Sequence, residues 1–317
     1  MKRRHFLKLG SAAAAASILP LHAQDKLTLW GPPVSPTVLL AIAAQMGKAK
    51  NIRPFSVKSW LSPDQLRAGL VSGSIQASIV PSYVAANLRN QGQSVLLHNI
   101  MTSGLLSIMS KNSPLGEATQ LVGQKIVMPF KGDMPDLVMQ ILCKRENITL
   151  GDITYTATPP ESVGLFLKQD FPYALLPEPL ASASILRGKQ AGISVERGIV
   201  LDTWWNRSFG SSKGIPQAGL MISETFAAEN AEFLAALDQD LLDAVDWVAA
   251  NPKSAAEIAA GYMPAPVPAL QQALPHSGLM AVRSTQMREE ILHFFQELYN
   301  LNPKIIGGGA PDTALIA

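Results

Sequence analysis

Residues 124–142, QKIVMPFKGDMPDLVMQIL, contain a change of pattern that indicates the fold. Ile126 to Met128 form a short apolar run without a helical period, and Pro129 and Gly132 mark a turn after it. Pro135 suits the first turn of a helix, where its missing N–H would have had no partner. Apolar residues then repeat at three and four residues: Met134, Leu137, Val138, Ile141 and Leu142. The stretch therefore predicts a strand, a tight turn and a helix.

The turn between this strand and helix has the chemistry of a ligand site. Its free backbone N–H groups lie at the carboxyl end of a strand, where open α/β sheets place ligands. Lys131 and the helix N-terminus would attract an anion. The same turn can equally be a plain surface loop, because many strand-to-helix turns bind nothing. The rest of the chain has to decide between the two.

The N-terminus resembles a twin-arginine export signal. Arg3 and Arg4 precede an alanine-rich apolar run from Leu9 to Leu21, which ends in small residues at Ala23. The run is short for a membrane span. We expect residues 1–23 to be cleaved near Ala23 and the mature chain, from residue 24 to 317, to be a periplasmic protein.

Net charge and cysteine count argue against nucleic-acid binding and exclude an intrachain disulfide. The formal net charge of +2 includes four positive charges and no acid in residues 1–23, so the mature chain carries −2 and shows no nucleic-acid footprint. Cys143 is the only cysteine, so an intrachain disulfide is impossible. Its position in an apolar helical stretch predicts a buried thiol. The length fits two domains better than one.

Strand-like and helix-like stretches alternate from Asp25 onward. Strands are predicted at 27–30, 55–58, 77–80, 95–99, 105–109, 126–128, 153–156, 173–176 and 218–222. Three of the early strands end in turns that contain proline and serine and begin a helix, which aims N–H groups at one edge of a parallel sheet. A loop is predicted at 198–214, a long helix at 223–250, and a helical segment at 254–300 with a break at 263–268.

This order predicts two α/β lobes joined by two crossings, near 101–104 and 213–219. The first lobe would be discontinuous, with residues 24–102 and 216–317, and the second would hold residues 103–215. A strand that follows another without an intervening helix, at 105–109, marks the first crossing.

Enzyme and metal signatures are largely missing. His98, His276 and His293 are far apart and lack acidic or cysteine partners at ligand spacing. Residues 210–214, GSSKG, match the GxSxG string of hydrolases, but that motif needs a strand before it and a helix after it. We therefore predict that the protein has no catalytic residue and binds no metal and no cofactor.

Two acids and three aromatic residues have a possible place in a cleft. Glu178 lies between two prolines in LLPEPLAS, where a strand meets a helix, and it can either cap the helix or bind a donor on a ligand. Asp133 has the same two interpretations. Trp30, Trp60 and Tyr83 follow or end predicted strands, where flat rings can sandwich a ligand or simply fill the core.

Several stretches together resemble a periplasmic substrate-binding protein of an ABC importer, of the nitrate, sulfonate, taurine and thiamine-precursor type. They are the export signal, WGPPVSPTVLLAIAA, SWLSPDQLRAGLVSGSIQASIVPSYVAANL, PFKGDMPDL, LLPEPLAS and NPKIIGGGAPD. The resemblance covers essentially the whole mature chain. It departs at the end, where residues 313–317, TALIA, follow in place of an aromatic pair.

The resemblance implies the type II periplasmic binding protein fold, in which two α/β lobes close at a hinge on one small molecule. It also implies a monomer that docks on an ABC permease in the inner membrane. The aromatic rings are expected to stack on the ligand, and Ser82 and the turn N–H groups to form hydrogen bonds with it. Lys131 would neutralise an acidic group of the ligand, and the acids would accept hydrogen bonds from its donors. The expected ligand-binding residues are Trp30, Pro32, Trp60, Ser82 and Tyr83 from one lobe, with Lys131, Asp133 and Glu178 from the other.

Two carboxylates in the cleft would repel a bare inorganic anion. We therefore expect an organic solute with an acidic or acceptor end and an NH or OH end. Two alternatives stay open on the residues alone. One is a periplasmic enzyme on the same fold, either a hydrolase or a self-consuming pyrimidine synthase. The other is a sensor module that presents a ligand to a membrane receptor.

Overall fold

The computed structural model describes residues 26–317, so the predicted signal peptide of residues 1–23 lies outside the described residues. The strands are β1 (Leu27–Gly31), β2 (Phe55–Ser59), β3 (Ala77–Pro81), β4 (Val95–Leu97), β5 (Asn99–Thr102), β6 (Leu106–Lys111), β7 (Ile126–Pro129), β8 (Ile153–Thr156), β9 (Tyr173–Pro177), β10 (Val195–Val200), β11 (Ala218–Ser223) and β12 (Leu279–Arg283). The helices are α1 (Thr37–Met46), α2 (Ala49–Ile52), α3 (Pro63–Val71), α4 (Ser82–Asn90), α5 (Met134–Arg145), α6 (Pro159–Lys168), α7 (Leu180–Gln190), α8 (Leu201–Phe209), α9 (Glu224–Glu229), α10 (Ala231–Ala250), α11 (Pro252–Ala259), α12 (Val267–Ala273) and α13 (Arg288–Leu301).

The strands form two separate mixed sheets. The first sheet has the order β12-β5-β11-β3-β1-β2, with β4 also paired to β11. In it, β1 is parallel to β2 and β3, whereas β11 runs antiparallel to its neighbours. The second sheet has the order β10-β6-β9-β7-β8, and only the pairs that include β7 are parallel. The predicted parallel sheet is thus wrong in part, because strands that return from later in the chain complete each sheet in the opposite direction.

Helices cover both sheets through apolar faces. Val38 and Leu39 of α1 and Phe233 and Leu237 of α10 are buried together against the first sheet. The second sheet is covered by α6 and α7, and Ala269 of α12 packs into that same cluster. A segment from the far end of the chain therefore touches the lobe built on the second sheet.

The turn between β7 and α5 has the predicted structure. β7 ends at Pro129 and α5 begins at Met134, with Asp133 as its N-cap: the carboxylate accepts a hydrogen bond from the Met134 N–H at 2.8 Å. In the first sheet, Ser62 caps α3 in the same way by accepting from the Gln65 N–H at 3.2 Å. Both helices begin where the sequence predicts, because a side-chain acceptor and a proline occupy the positions that a helix start favours.

Three predictions of secondary structure are wrong. The predicted loop at 198–214 contains the end of β10 and the whole of α8, in which Trp204 and Trp205 are buried. The predicted helical segment at 254–300 contains the edge strand β12, which pairs with β5. The long helix predicted at 223–250 is also interrupted at Asn230, whose side chain accepts a hydrogen bond from Arg53 at 2.6 Å.

The last residues pack against the first sheet. Ile316 is buried and forms a parallel bridge with Leu97, while the Ser284 hydroxyl donates to the Ala317 carbonyl at 2.9 Å. The sequence left the packing of this segment open, and apolar burial of Leu315 and Ile316 determines it.

Candidate functional site

The chain passes from the first sheet to the second after Thr102 and returns before Ala218. The two crossing segments are hydrogen-bonded to each other: the Ile215 N–H donates to the Ser103 carbonyl at 3.0 Å, and the Gln217 N–H to the Thr102 carbonyl at 3.2 Å. The Gln217 side chain also accepts from the Leu105 N–H at 3.2 Å. The two chain segments that connect the sheets therefore form a narrow backbone ladder, the kind of element that can bend as a hinge.

Glycines allow this ladder to pack closely. Gly278 has a positive φ of 51°, and a Cβ there would come within 2.7 Å of the Gly104 carbonyl oxygen. Gly214 has a φ of 76°, and its Cβ would lie 2.7 Å from Cβ of Ser103. Side chains at either position would force the crossing apart, since both the conformation and the space require glycine.

A half-buried carboxylate lies in the same hinge. The Oδ1 atom of Asp202 accepts a hydrogen bond from the Ile215 N–H at 2.9 Å. Burial raises the pKa of Asp202 above its ordinary value, and the hydrogen bond from Ile215 opposes this only in part. The hinge thus contains a group whose charge is disfavoured by its surroundings.

The carboxyl ends of β1 and β2 lie side by side, because the parallel register pairs Trp30 with Lys58 and Gly31 with Ser59. Trp30 is half-buried, and the Lys58 ammonium lies 5.6 Å from its ring centroid, within cation–π range. Pro32 is buried, and its carbonyl accepts from the Thr37 hydroxyl at 2.5 Å. Trp30 and Pro32 therefore lie at the predicted edge, with Pro32 holding the start of α1.

Two buried donors at this edge lack a partner within the described residues. The Oγ atom of Ser35, in the turn before α1, and the Nε1 atom of Trp60, just after β2, have no hydrogen-bond partner there. Ser35 is 1% exposed and Trp60 8%. The Trp60 backbone N–H donates to the Gly31 carbonyl at 3.1 Å, which ties the two turns together. Buried donors of this kind call for an acceptor, either a water or a ligand.

Ser82 has a different setting from the one predicted. It is fully buried at the β3–α4 junction, where its hydroxyl donates to the Pro216 carbonyl at 2.5 Å and its N–H to the Gln217 carbonyl at 3.0 Å. The hydroxyl proton is therefore committed to the returning crossing segment. Ser82 joins the cleft edge to the hinge in this conformation.

Tyr83 and Asp133 meet across the two sheets. The Tyr83 hydroxyl, at the start of α4, donates to Oδ1 of Asp133, at the start of α5, over 2.6 Å. Burial, and then the Asp133 carboxylate, raises the pKa of Tyr83, while the nearby Arg67 guanidinium of α3 acts in the opposite direction. The hydroxyl stays protonated at physiological pH and therefore stays a donor.

The β7–α5 turn has a strained and ordered backbone. Phe130 adopts a left-handed φ of 61° and Gly132 one of 74°. The Gly132 N–H donates to Oδ2 of Asp136 at 2.7 Å, and the Tyr155 hydroxyl donates to Oδ1 of Asp136 at 3.0 Å. A left-handed non-glycine residue costs on the order of 1 kcal/mol, so the surrounding contacts hold this turn in place.

Lys131 is exposed at the tip of this turn. Its ammonium group lies 5.5 Å from the ring centroid of Tyr155. No ion pair with Lys131 occurs within residues 26–317, so no acidic side chain there neutralises its charge.

Glu178 is fully buried after β9, and its acceptors are occupied. Oε1 is paired with Arg197 of β10, and Oε2 accepts from the Ser182 N–H at 3.1 Å. Burial raises the pKa of Glu178 and Arg197 opposes the shift. In this conformation both carboxylate oxygens bind protein groups beside the second sheet, so neither is available to a ligand.

The structure thus brings Tyr83 and Asp133 into contact between the sheets, with Lys131 two residues before Asp133 in the same turn, and Trp30, Pro32 and Trp60 along the first-sheet edge. Ser82 and Glu178 lie behind these surfaces and are hydrogen-bonded to protein groups. Sequence reasoning missed Ser35, Arg67 and Arg197. A serine two residues before a helix start was a usable signal for Ser35, whereas the other two depend on contacts between distant segments.

No helix within residues 26–317 is long and apolar enough to span a membrane. In the same range, no group of three histidine, cysteine or acidic side chains is arranged to hold a metal ion.

No protein-family model and no curated protein matches the sequence. Solved structures do match over nearly the whole chain. An ABC transporter from Parabacteroides distasonis superposes with a TM-score of 0.78 at 18% identity, covering 92% of this chain and 98% of its own. The periplasmic aliphatic sulphonate binding protein SsuA from Escherichia coli gives 0.68 at 15% identity, with 89% and 95% covered. This chain has the fold of ABC-transporter binding proteins.

A further structure of this fold is the periplasmic nitrate-binding protein NrtA from Synechocystis PCC 6803, with a TM-score of 0.68 at 14% identity over 87% of this chain and 81% of that one. The predicted two-lobed α/β binding-protein fold is therefore confirmed. At these identities the ligand of each neighbour is a property of that neighbour, because one fold supports many specificities.

Proposed function

We propose that this protein is the periplasmic solute-binding component of an ABC importer. It captures a small organic solute between its two lobes by hinge closure and delivers it to a permease in the inner membrane. The lobes are residues 24–102 with 216–317, and residues 103–215, and the exported chain acts as a monomer after removal of residues 1–23. It carries no cofactor and catalyses no reaction.

The observation that carries this proposal is the contact between Tyr83 and Asp133. This contact joins a strand-to-helix turn of one sheet to a strand-to-helix turn of the other. The two chain segments that connect the sheets are hydrogen-bonded to each other, and glycines lie where they approach most closely. A cleft whose walls meet in this way encloses a small molecule almost completely. The binding-protein fold of the neighbours supports the same mechanism.

The chemistry of the cleft favours a solute with an acceptor or anionic end and a donor end. Ser35 and Trp60 present buried donors without partners in the described chain, and Lys131 supplies positive charge. Asp133 supplies an acceptor on the opposite side. Because Glu178 is already neutralised by Arg197, the repulsion of anions comes from one carboxylate instead of two. We therefore place Trp30, Pro32, Trp60, Tyr83, Lys131 and Asp133 on the cleft surface, with Ser82 and Glu178 supporting it.

Native mass spectrometry of the mature protein tests this proposal first, because a co-purified solute would be detected by its mass. The released compound is then added back to stripped protein in a thermal shift assay. At a hundredfold excess over the dissociation constant, binding should stabilise the folded state by about 2.7 kcal/mol. Loss of uptake of the same compound in a strain that lacks this protein would link binding to import.

Lys131→Ala provides the site test, with Lys125→Ala as its matched control. Lys125 is exposed at the other end of the same strand and carries the same charge. We expect weaker binding of the solute in the first variant and unchanged binding in the second. Recovery of the compound in a chemically altered form would instead favour an enzyme. Binding without any effect on uptake would favour a sensor module.

A further inference from the structure

Tyr83 and Asp133 are positioned independently of any ligand. The Asp133 carboxylate is fixed by its own helix, because the same Oδ1 atom that receives the Tyr83 hydroxyl also accepts from the Met134 N–H at 2.8 Å. The Tyr83 ring is 7% exposed and packs in an apolar cluster with Trp60 and Leu66. The Asp133 carboxylate therefore loses little side-chain freedom when the lobes meet, which lowers the entropic cost of the bond.

We propose that Tyr83 and Asp133 form a latch that holds the two lobes closed in the absence of solute. The inference extends the proposed function, since it describes what regulates access to the same cleft. The latch joins the N-termini of α4 and α5, one from each lobe. Opening the cleft requires this bond to break, while the ladder at the hinge stays intact.

The latch affects both affinity and rate of entry. If solute binds most tightly to the closed form, the observed affinity is multiplied by the fraction of molecules that are closed before binding. A hydrogen bond to a charged carboxylate is worth roughly a ten- to hundredfold change in an equilibrium constant. Removing the hydroxyl should therefore lower the closed-to-open ratio by that factor.

The chain supplies a matched control in the second lobe. The Tyr155 hydroxyl donates to Oδ1 of Asp136 at 3.0 Å, and both residues belong to elements of the second sheet, β8 and α5. Tyr155→Phe therefore removes a bond of the same chemical kind, beside the same helix, without touching the contact between the lobes. Tyr83→Phe keeps the buried ring and removes only the latch.

Distances between spin labels on the two lobes measure closure without any solute. Val71, at the end of α3, is 71% exposed, and Val122, shortly before β7, is 53% exposed, so both tolerate a labelled cysteine. Cys143 is the only native cysteine and is buried, and Cys143→Ala provides a background free of other thiols. Pulsed electron paramagnetic resonance then gives the distribution of distances in stripped protein.

We expect one short distance in the labelled parent and in Tyr155→Phe, and an added longer population in Tyr83→Phe. An unchanged distribution in Tyr83→Phe would overturn the latch, as would a parent that is already fully open. The unfolding temperature of Tyr83→Phe must stay close to that of Tyr155→Phe, so that loss of folding cannot be mistaken for opening. Since no solute is added, this result stands or falls separately from the identification of an imported compound.

Discussion

Asp133 and Glu178 occupy similar positions in the sequence and different ones in the molecule. Each follows a buried strand and precedes a helix, and each has a proline beside it or two residues away. Asp133 is half-buried and bonds to Tyr83 of the opposite lobe, whereas Glu178 is fully buried and paired with Arg197 of its own sheet. Local sequence places a carboxylate at a turn, but the segment that packs above the turn decides whether it faces a cleft or the interior.

The largest expected change in the free energy of unfolding concerns Glu178, the buried acid of the two. Arg197→Met should lower the free energy of unfolding by about 3–5 kcal/mol, because it leaves the Glu178 carboxylate buried without its charge partner. Urea denaturation would measure the loss. Glu178→Gln combined with Arg197→Met should recover much of it. A loss below about 1 kcal/mol in the single variant would mean that Glu178 can reach water, and that the contrast with Asp133 is weaker than the structure indicates.

Asp133→Ala should have a smaller effect, because its carboxylate is partly exposed. Loss of the helix cap costs about 1 kcal/mol, and loss of the bond from Tyr83 to the charged carboxylate adds about 1.5–3 kcal/mol. Ser62→Ala is the matched control, since it removes a cap from α3 in the first lobe without a contact between lobes. Equal losses in the two variants, measured by thermal unfolding, would show that the contact across the lobes adds nothing to stability.

Asp202 is a third acid in this comparison: it is half-buried in the hinge and forms no ion pair within residues 26–317. Its pKa is raised above the ordinary 3.8 by burial, so between the unfolded and folded pKa values the folded protein binds more protons than the unfolded chain. Stability contributed by this group therefore falls as the pH rises through that window. We expect Asp202→Asn to gain stability relative to the parent as the pH increases above about 3.8. Parallel stability profiles from pH 3.5 to 7.5 would contradict this.

The smallest expected change concerns Ser35. Its buried hydroxyl has no partner within the described residues, so Ser35→Ala breaks no hydrogen bond and should not lower the free energy of unfolding. The same variant should weaken binding of the co-purified solute, because the hydroxyl is proposed to meet the acceptor end. Thermal unfolding with and without solute separates the two effects. A large loss of stability in the stripped protein would reveal an internal partner for the hydroxyl.

The sequence was sufficient for features that depend on neighbouring residues. The strand, turn and helix at 126–145 are local, since apolar period, a capping aspartate and a proline all indicate the same boundaries. The α8 helix was also locally encoded, because Leu201, Trp204 and Trp205 follow helical spacing. The prediction of a loop at 198–214 did not use this spacing, so a local signal was present and was missed.

Features that join distant segments could not be predicted. The edge strand β12 is recognisable only through its pairing with β5, about 180 residues earlier in the chain. The ion pair of Glu178 and the contact of Tyr83 with Asp133 likewise depend on how separate elements pack. The candidate site was therefore predictable as a set of turns, and the choice between cleft-facing and interior side chains required the tertiary structure.

The position of β11 has a consequence for the order in which the two lobes form. All strands of the second sheet come from residues 106–200, so that sheet can assemble from one continuous stretch. In the first sheet, β11 lies between β5 and β3. It follows all strands of the second sheet in the chain, so it is far in sequence from both of its partners. Pairing over such long separations slows folding. In pulse-labelled hydrogen exchange during refolding, amides of β6 and β9 should become protected before those of β3 and β5.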